Sequence, residues 1–135
     1  MVNRKAKGTR GERELVKFFN EAGWACIRAP GSGSSSYPSP DILAGNAIRR
    51  VAIECKMTKE KKKYFDNAEI AQLQEFSQKF GAESWVGVKF GREQWYFMML
   101  EDLENTGNCL AASLEQAKRK GLTATELLGK EIRNI

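Results

Sequence analysis

The sequence predicts a mixed α/β fold in a single domain. Two amphipathic helical patterns are interleaved with strand patterns and a further helical region follows, so the predicted order is α-β-β-β-α-β-β-α. The chain has 135 residues and is 41% hydrophobic, which suits one core and leaves no material for a second. We therefore expect residues 1–135 to fold as one unit.

The first predicted element is an amphipathic helix over about residues 9–20, with Gly23 as its C-terminal stop. Its apolar residues recur at helical spacing: Leu15, Val16, Phe18, Phe19 and Ala22. Residues 1–8 carry basic groups and no acid, which indicates a mobile basic arm ahead of the helix.

Strand patterns and one flexible loop follow this helix. Residues 24–28 predict a short strand, and residues 29–39 are rich in glycine, serine and proline, which is typical of a loop beside a site. Residues 41–45 predict a second strand. After a Gly-Asn turn, residues 50–57 form the clearest strand pattern in the chain.

The second half of the chain continues this alternation after a basic loop. The remaining predicted elements are a helix over 67–80, strands over 84–90 and 95–100, and short helices near 113–120 and 123–133. Gly81 provides the stop of the longer helix. Ser113 with Gln116, and Thr123 with Glu126, have the spacing of capping boxes at the two short helices.

Composition excludes several kinds of chemistry. The chain has no histidine, which removes Ser-His-Asp and Cys-His catalysis, imidazole general bases and His-ligated metal sites. Its three cysteines form no CxxC pair, which argues against a disulfide framework or a thiolate zinc site. Any catalysis must therefore depend on carboxylates, lysines, arginines and hydroxyls, with or without a hard metal ion bound by oxygen.

The charge balance favours a polyanionic partner. Lysine and arginine total 22 against 17 acidic residues, a net charge of +5, and nucleic acid is the usual partner of such a surplus. The sequence has neither the roughly 18 consecutive apolar residues of a membrane span nor a secretory signal after its basic N-terminus. We expect a cytoplasmic protein.

Two acidic residues stand on neighbouring predicted strands. Period-two alternation puts Glu54 and Lys56 on the face opposite Val51 and its apolar partners, and Asp41 begins the preceding strand. Pairing of these strands as a hairpin would bring Asp41, Glu54 and Lys56 to one point, where converging carboxylates need a divalent cation between them. Two plainer interpretations stay open: an edge strand with its polar side in water, and an aspartate that serves only the turn after Pro40.

A third acidic residue lies on the first helix. At about 100° per residue, Glu12 falls in line with the apolar stripe, whereas Glu14 projects from the opposite side. Glu12 is either an N-terminal residue at the edge of the core, favoured by the helix dipole, or a group aimed into a site. Arg13 and Arg28 either face phosphate or are solvated.

The Pro40-Asp41 and Glu54-Cys55-Lys56 motifs resemble the signature of the PD-(D/E)XK nuclease superfamily, and Glu12 resembles the additional helix acid of many members. Over about residues 4–100 the chain also resembles the archaeal Holliday junction resolvases. The matching residues, in that family's order, are Lys7-Gly8, Glu12-Arg13-Glu14, Gly23, Arg28-Ala29, Gly31-Ser32, Pro40-Asp41-Ile42, Ala44-Gly45-Asn46, Ile53-Glu54, Lys56, Glu75-Phe76, Phe80-Gly81 and Val88-Lys89.

This resemblance implies a restriction-endonuclease-like core with a central mixed sheet flanked by helices. It implies a homodimer that cuts four-way DNA junctions by paired symmetric nicks near the crossover, in a reaction that depends on Mg²⁺, with Mn²⁺ as an expected substitute. The metal ligands by matching position are Glu12, Asp41, Glu54 and the backbone carbonyl of Cys55. Lys56 would orient or activate the attacking water, and Ser32 would contact the scissile phosphate.

Basic residues flank this candidate site in the sequence. We expect them to contact DNA phosphates without reading base sequence, although a run of charge is also typical of a solvated face. The predicted DNA-binding residues are Arg4, Lys5, Lys7, Arg10, Arg13, Arg28, Lys59, Lys61, Lys62 and Lys63. Phe76 and Phe80 form an aromatic pair, and residues 95–100 are apolar on both faces; burial within the monomer or a two-fold dimer interface would explain both.

Two other functions stay open at this point. One is an endonuclease of the same superfamily that acts on linear or damaged duplex DNA, which substrate preference would reveal. The other is a non-catalytic DNA-binding module whose acidic residues are structural, which a lack of divalent-metal binding would reveal.

Overall fold

A computed structural model describes residues 4–29 and 37–129. Its helices and strands, in chain order, are α1 (Arg4–Glu21), β1 (Ala25–Arg28), β2 (Ile42–Gly45), β3 (Arg50–Thr58), β4 (Lys62–Asp66), α2 (Asn67–Phe80), β5 (Glu83–Phe90), β6 (Trp95–Met99), β7 (Glu104–Asn105), β8 (Cys109–Ser113), α3 (Leu114–Lys120) and α4 (Ala124–Leu128). Ser32 and residues 130–133, to which the last predicted helix extends, lie outside the described ranges.

The strands form two sheets. The main sheet has the order β1-β2-β3-β5-β6, in which β3 and β5 are parallel and the other neighbours are antiparallel. A smaller antiparallel sheet has the order β4-β8-β7. With helices packed against the main sheet, this arrangement confirms the predicted mixed α/β fold.

Strand β3 lies at the centre of the main sheet and is covered on both faces. Its residues Val51 and Ile53 are buried in a core with Phe19 of α1, while Ala52 is buried in a second core with Leu73 of α2. The edge-strand interpretation is therefore wrong, because strands β2 and β5 flank β3 and helices cover both of its sides.

Helices α3 and α4 begin where side chains accept hydrogen bonds from backbone N–H groups. Ser113 Oγ accepts a hydrogen bond from the Gln116 N–H at 3.1 Å, and Thr123 and Glu126 make both bonds of a capping box, at 3.2 and 2.9 Å. The two predicted cap positions are thereby confirmed. In the described parts of the chain, no helix combines the length and the apolar character that crossing a membrane requires.

Three features differ from the sequence prediction. Helix α1 begins at Arg4, so part of the segment interpreted as a mobile basic arm, residues 1–8, is helical; alanine, lysine and arginine are good helix formers. Lys62 and Lys63 lie in β4 instead of a basic loop, because β8 pairs with this segment. Strands β7 and β8 were not predicted, since neither shows a clear apolar alternation.

Strand β6 is apolar on both faces because the monomer covers it twice. Trp95 and Phe97 belong to the core on the α1 side, and Tyr96 and Met98 belong to the core on the α2 side. The outer edge is also occupied, since the Phe97 N–H donates to the Leu122 carbonyl at 2.7 Å and the Leu122 N–H donates to the Phe97 carbonyl at 2.8 Å. Burial within the monomer thus accounts for this pattern.

Candidate active site

The β2–β3 hairpin brings Asp41 and Glu54 together. Ile42 pairs with Ile53 in this antiparallel ladder, so Asp41 and Glu54 occupy the next positions, immediately before β2 begins. Asp41 is only 8% exposed, and its Oδ2 accepts a hydrogen bond from the Cys55 N–H at 2.8 Å. The backbone of β3 therefore fixes the orientation of this carboxylate.

Glu54 lies in an environment that disfavours its charge. Burial, followed by the negative charge of Asp41, raises the pKa of Glu54 to about 8, and the nearby Lys56 does not offset these effects. Glu69 and Glu12 add to the rise. Glu54 therefore binds a proton near neutral pH unless another cation compensates its charge.

Glu12 points inward from α1, as its place on the apolar stripe predicts, and Glu14 is exposed. The Glu12 side chain is 17% exposed, and its Oε1 lies 3.2 Å from Nη1 of Arg28 on β1. Burial and the charge of Asp41 raise the pKa of Glu12 despite the opposing effect of Arg28. Arg28 is thus held by Glu12, an ion pair that the sequence did not reveal.

The three carboxylates suit a hard divalent cation by their chemistry, since Mg²⁺ prefers oxygen ligands. The charge of Asp41 contributes to the raised pKa of both Glu12 and Glu54, so the three carboxylates are close enough to interact electrostatically. Across residues 4–29 and 37–129, however, no three acidic or thiol side chains already converge as a ligand set. Glu12 is held by Arg28, so it would have to turn away from that partner to bind a metal.

The Cys55 thiol is not suited to metal binding. It is buried in the core with Val51 and Ile53, and burial raises its pKa well above the usual range, so the sulfur keeps its proton. The N–H of Cys55 faces Asp41, and the carbonyl of a strand residue points to the same side as its N–H. This orientation directs the Cys55 carbonyl, and not its thiol, toward the acidic group.

Lys56 contacts the first turn of α2. Its Nζ lies 2.6 Å from Oε2 of Glu69. Burial lowers the pKa of Lys56, but the hydrogen bond and charge of Glu69, together with Glu54 and Asp41, outweigh burial and raise it. Lys56 therefore stays a cation. The role of Glu69 was not predicted from the sequence, because the spacing of Asp66 and Glu69 at a helix start indicates a cap but not a contact with Lys56.

The lysines of residues 59–63 divide between two sides of β4. Lys59 and Lys63 line a groove of about 620 Å³ with Lys56 and Lys89, and Cys55 also borders this groove. Lys62 points to the other side, where its Nζ lies 3.2 Å from Oε1 of Glu104. Lys61, which precedes β4, lines one cavity with Lys62 and another with Lys59. Alternation along a strand explains the separation of Lys62 from Lys63.

The other predicted DNA-binding residues lie on α1 and, for Arg28, on β1. Arg10 and Arg13 are exposed on α1. The side chains of Arg4, Lys5 and Lys7 lie outside the part of the chain whose side chains are described.

The aromatic pair on α2 presents one ring to solvent. Phe76 and Phe80 stack with ring centroids 5.4 Å apart; Phe76 packs against the core, whereas Phe80 is 47% exposed. The assignment of this pair to a dimer interface stays a prediction.

Comparison with known proteins identifies the group to which this chain is related. The family model for archaeal Holliday junction resolvases, Hjc, matches residues 3–134. The crossover junction endodeoxyribonuclease Hjc of Archaeoglobus fulgidus is 43% identical over 93% of this chain and 92% of its own length. The corresponding protein of Sulfolobus acidocaldarius is 34% identical over 94% of this chain and 90% of its own length.

The fold agrees with these sequence matches. A solved structure of Archaeoglobus fulgidus Hjc, described as a Holliday junction resolvase, superposes with a TM-score of 0.83 at 40% identity, covering 90% of this chain and 98% of that one. The match to the family model includes the C-terminal third of the chain, beyond the residues 4–100 over which the sequence motifs resemble the family. The chain therefore belongs to the archaeal Holliday junction resolvase family.

Proposed function

We propose that this protein is a crossover junction endodeoxyribonuclease that resolves four-way DNA junctions by paired symmetric nicks near the crossover. The observation that carries the proposal is the β2–β3 hairpin, which places the Asp41 carboxylate against the Cys55 N–H and beside Glu54 in a member of this family. Hydrolysis of a phosphodiester needs a positioned water and stabilisation of negative charge, and acidic groups that bind a cation provide the setting for both.

Mg²⁺ is the proposed cofactor, with Mn²⁺ as a substitute. Glu12, Asp41, Glu54 and the Cys55 carbonyl would hold it. When bound, the ion lowers the pKa of a coordinated water and neutralises phosphate oxygens. Burial and the negative charge of Asp41 raise the pKa of both Glu12 and Glu54, and this supports the assignment, because a bound divalent cation would compensate the buried negative charge.

Lys56 acts in this proposal as a fixed positive charge. The raised pKa of Lys56 leaves its ammonium protonated at neutral pH, so this side chain orients the attacking water or holds a phosphate oxygen and does not take a proton from water. Of the two roles that the resemblance implied for Lys56, the pKa supports orientation. Ser32 is proposed to contact the scissile phosphate.

Two symmetric cuts require two active sites, so we propose that the protein is a homodimer. We also propose that it acts in the cytoplasm. The exposed ring of Phe80, stacked on Phe76, supports α2 as the dimer interface. Basic side chains in the groove that Lys56 lines, Lys59 and Lys63 among them, are proposed to bind DNA phosphates. Arg28 would join them only on release from Glu12.

The test is Mg²⁺-dependent cleavage of a synthetic four-way junction beside linear duplexes of the same sequences, with Asp41→Asn as the control. We expect symmetric nicks confined to the junction and absent in the variant. Cleavage of both substrates would replace the proposal with a general endonuclease. Tight junction binding without metal-dependent cutting would replace it with a binding module.

A further inference from the structure

We infer that Glu69 is a positioning residue for Lys56. Its carboxylate holds the Lys56 ammonium on the α2 side of the site, where the ammonium can orient the attacking water and does not pair with Asp41 or Glu54. This inference rests on the proposed function, since it concerns how the nuclease site is assembled.

The Glu69 carboxylate makes two different contacts. Its Oε1 accepts a hydrogen bond from the N–H of Asp66, the residue that caps α2, at 3.1 Å. Its Oε2 lies 2.6 Å from Nζ of Lys56. The backbone at the start of α2 therefore fixes the carboxylate, and the fixed carboxylate in turn fixes the lysine.

This ion pair differs from a surface pair on the same helix. Glu75 and Lys79 lie 3.0 Å apart, but their side chains are 48% and 76% exposed, so water screens them. The Glu69 and Lys56 side chains are only 27% and 28% exposed. The same pair of charges therefore restrains the lysine more strongly at the site than on the surface.

Lys56 needs such a restraint because of its neighbours. A lysine ammonium is a point charge on a flexible four-carbon stem. Asp41 and Glu54 both attract this ammonium, as their contributions to its pKa indicate. Without Glu69, the Lys56 ammonium would form an ion pair with these carboxylates and would no longer be positioned to orient the attacking water. It would also compete with the divalent cation for the same carboxylates.

The first experiment compares Glu69→Gln with Glu75→Gln. Glutamine at position 69 keeps an oxygen that can accept the Asp66 N–H, so α2 still starts normally, but it removes the charge that holds Lys56. Glu75→Gln makes the same change of charge on the exposed part of the helix. Thermal melts of both variants check that they fold as the parent does.

The measured quantities are the single-turnover rate on junction DNA in Mg²⁺, the junction Kd, and Mn²⁺ affinity by calorimetry without DNA. We expect Glu69→Gln to lower the rate by about 10- to 100-fold, as misplacement of a reacting group does, with the Kd within about twofold of the parent. Mn²⁺ affinity should fall by about threefold, because the released ammonium competes for the carboxylates. Glu75→Gln should change none of these quantities.

A double-variant cycle shows whether Glu69 acts through Lys56. In a Lys56→Ala background, which we expect to cut too slowly for rates to be compared, Glu69→Gln should lower Mn²⁺ affinity clearly less than it does in the parent, because only the direct effect of the Glu69 charge on Glu54 remains. The inference is overturned if Glu69→Gln cuts like the parent, or if it weakens Mn²⁺ binding equally in both backgrounds. If the parent protein cuts no junction at all, the proposed function fails, while the Mn²⁺ titrations still decide whether Glu69 restrains Lys56.

Discussion

The two faces of β3 differ in what they contribute to the protein. On the α1 side, Val51, Ile53 and Cys55 are buried along most of the strand. On the α2 side, only Ala52 is buried, and the face then turns charged at Glu54 and Lys56. One strand therefore supplies core packing from one face and the candidate catalytic groups Glu54 and Lys56 from the other. The packed core thereby fixes the positions of these two groups.

The α2 side of β3 changes from apolar to charged at the point where β3 stops pairing with β2, although its pairing with β5 continues. The ladder with β2 ends at the Ile42–Ile53 pair. Beyond it, the Asp41 side chain accepts the Cys55 N–H, while the Asp41 carbonyl accepts the Ala29 N–H at 2.9 Å. The Asp41 carboxylate thus accepts the hydrogen bond that a β2 backbone carbonyl would otherwise accept from β3. Because this bond satisfies the carboxylate, its burial is tolerated.

The largest effect is expected from removing charge at the polar end of this face. Glu54→Gln and Asp41→Asn should each lower single-turnover junction cleavage by at least about 100- to 1,000-fold, because they remove groups that act on the transition state. Junction affinity should stay near that of the parent. Rates and binding on one labelled junction check this, and cutting by either variant at a rate within about tenfold of the parent's would remove that residue from the mechanism.

The opposite result is expected on the apolar face. Ile53→Ala leaves a cavity in the core against α1 and should lower the free energy of unfolding by about 2–4 kcal/mol, with the cleavage rate per folded molecule unchanged. Urea denaturation gives the first quantity. Ile27→Ala is the matched control, because Ile27 is 63% exposed and its loss should change stability by no more than about 0.5 kcal/mol.

A smaller effect is expected from pH. The pKa of Glu54 rises from its ordinary value of 4.5 to about 8 on folding, so the folded state binds the proton more tightly than the unfolded state. The stability due to Glu54 is full below pH 4.5 and is lost as the pH rises through about 8. Glu54→Gln cannot ionise, so in EDTA it should gain on the order of 1–2 kcal/mol relative to the parent between pH 5 and pH 9.

Chemical denaturation at several pH values checks this prediction. Glu75→Gln should run parallel to the parent, because Glu75 is exposed. A Glu54→Gln curve that also stays parallel to the parent would contradict the burial of charge at this end of β3. Addition of Mg²⁺ to the parent should restore its stability at high pH, since a ligand that binds only the folded state stabilises it.

The sequence predicts the parts of this comparison that depend on local periodicity. Alternation in β3 separates Val51 from Glu54, and helical spacing gives α2 its observed bounds, Asn67–Phe80. It does not reveal contacts that need the assembled fold. Glu69 reaches Lys56, and Arg28 reaches Glu12, only after helices pack on the sheet. Strand β4 was missed because its partner β8 lies more than 40 residues along the chain.

The smallest effect tests whether the site face continues from β3 onto β4. Lys63 lines the groove that Lys56 also lines, whereas Lys62 points to the other side and pairs with Glu104. Lys63→Gln should weaken junction binding by about two- to fivefold and reduce the slope of log Kd against log salt by about 1, as loss of one phosphate contact does. Lys62→Gln makes the same change of charge, yet its effect should be smaller. Titrations at several NaCl concentrations compare the two, and an equal loss would mean that DNA contacts both sides of β4.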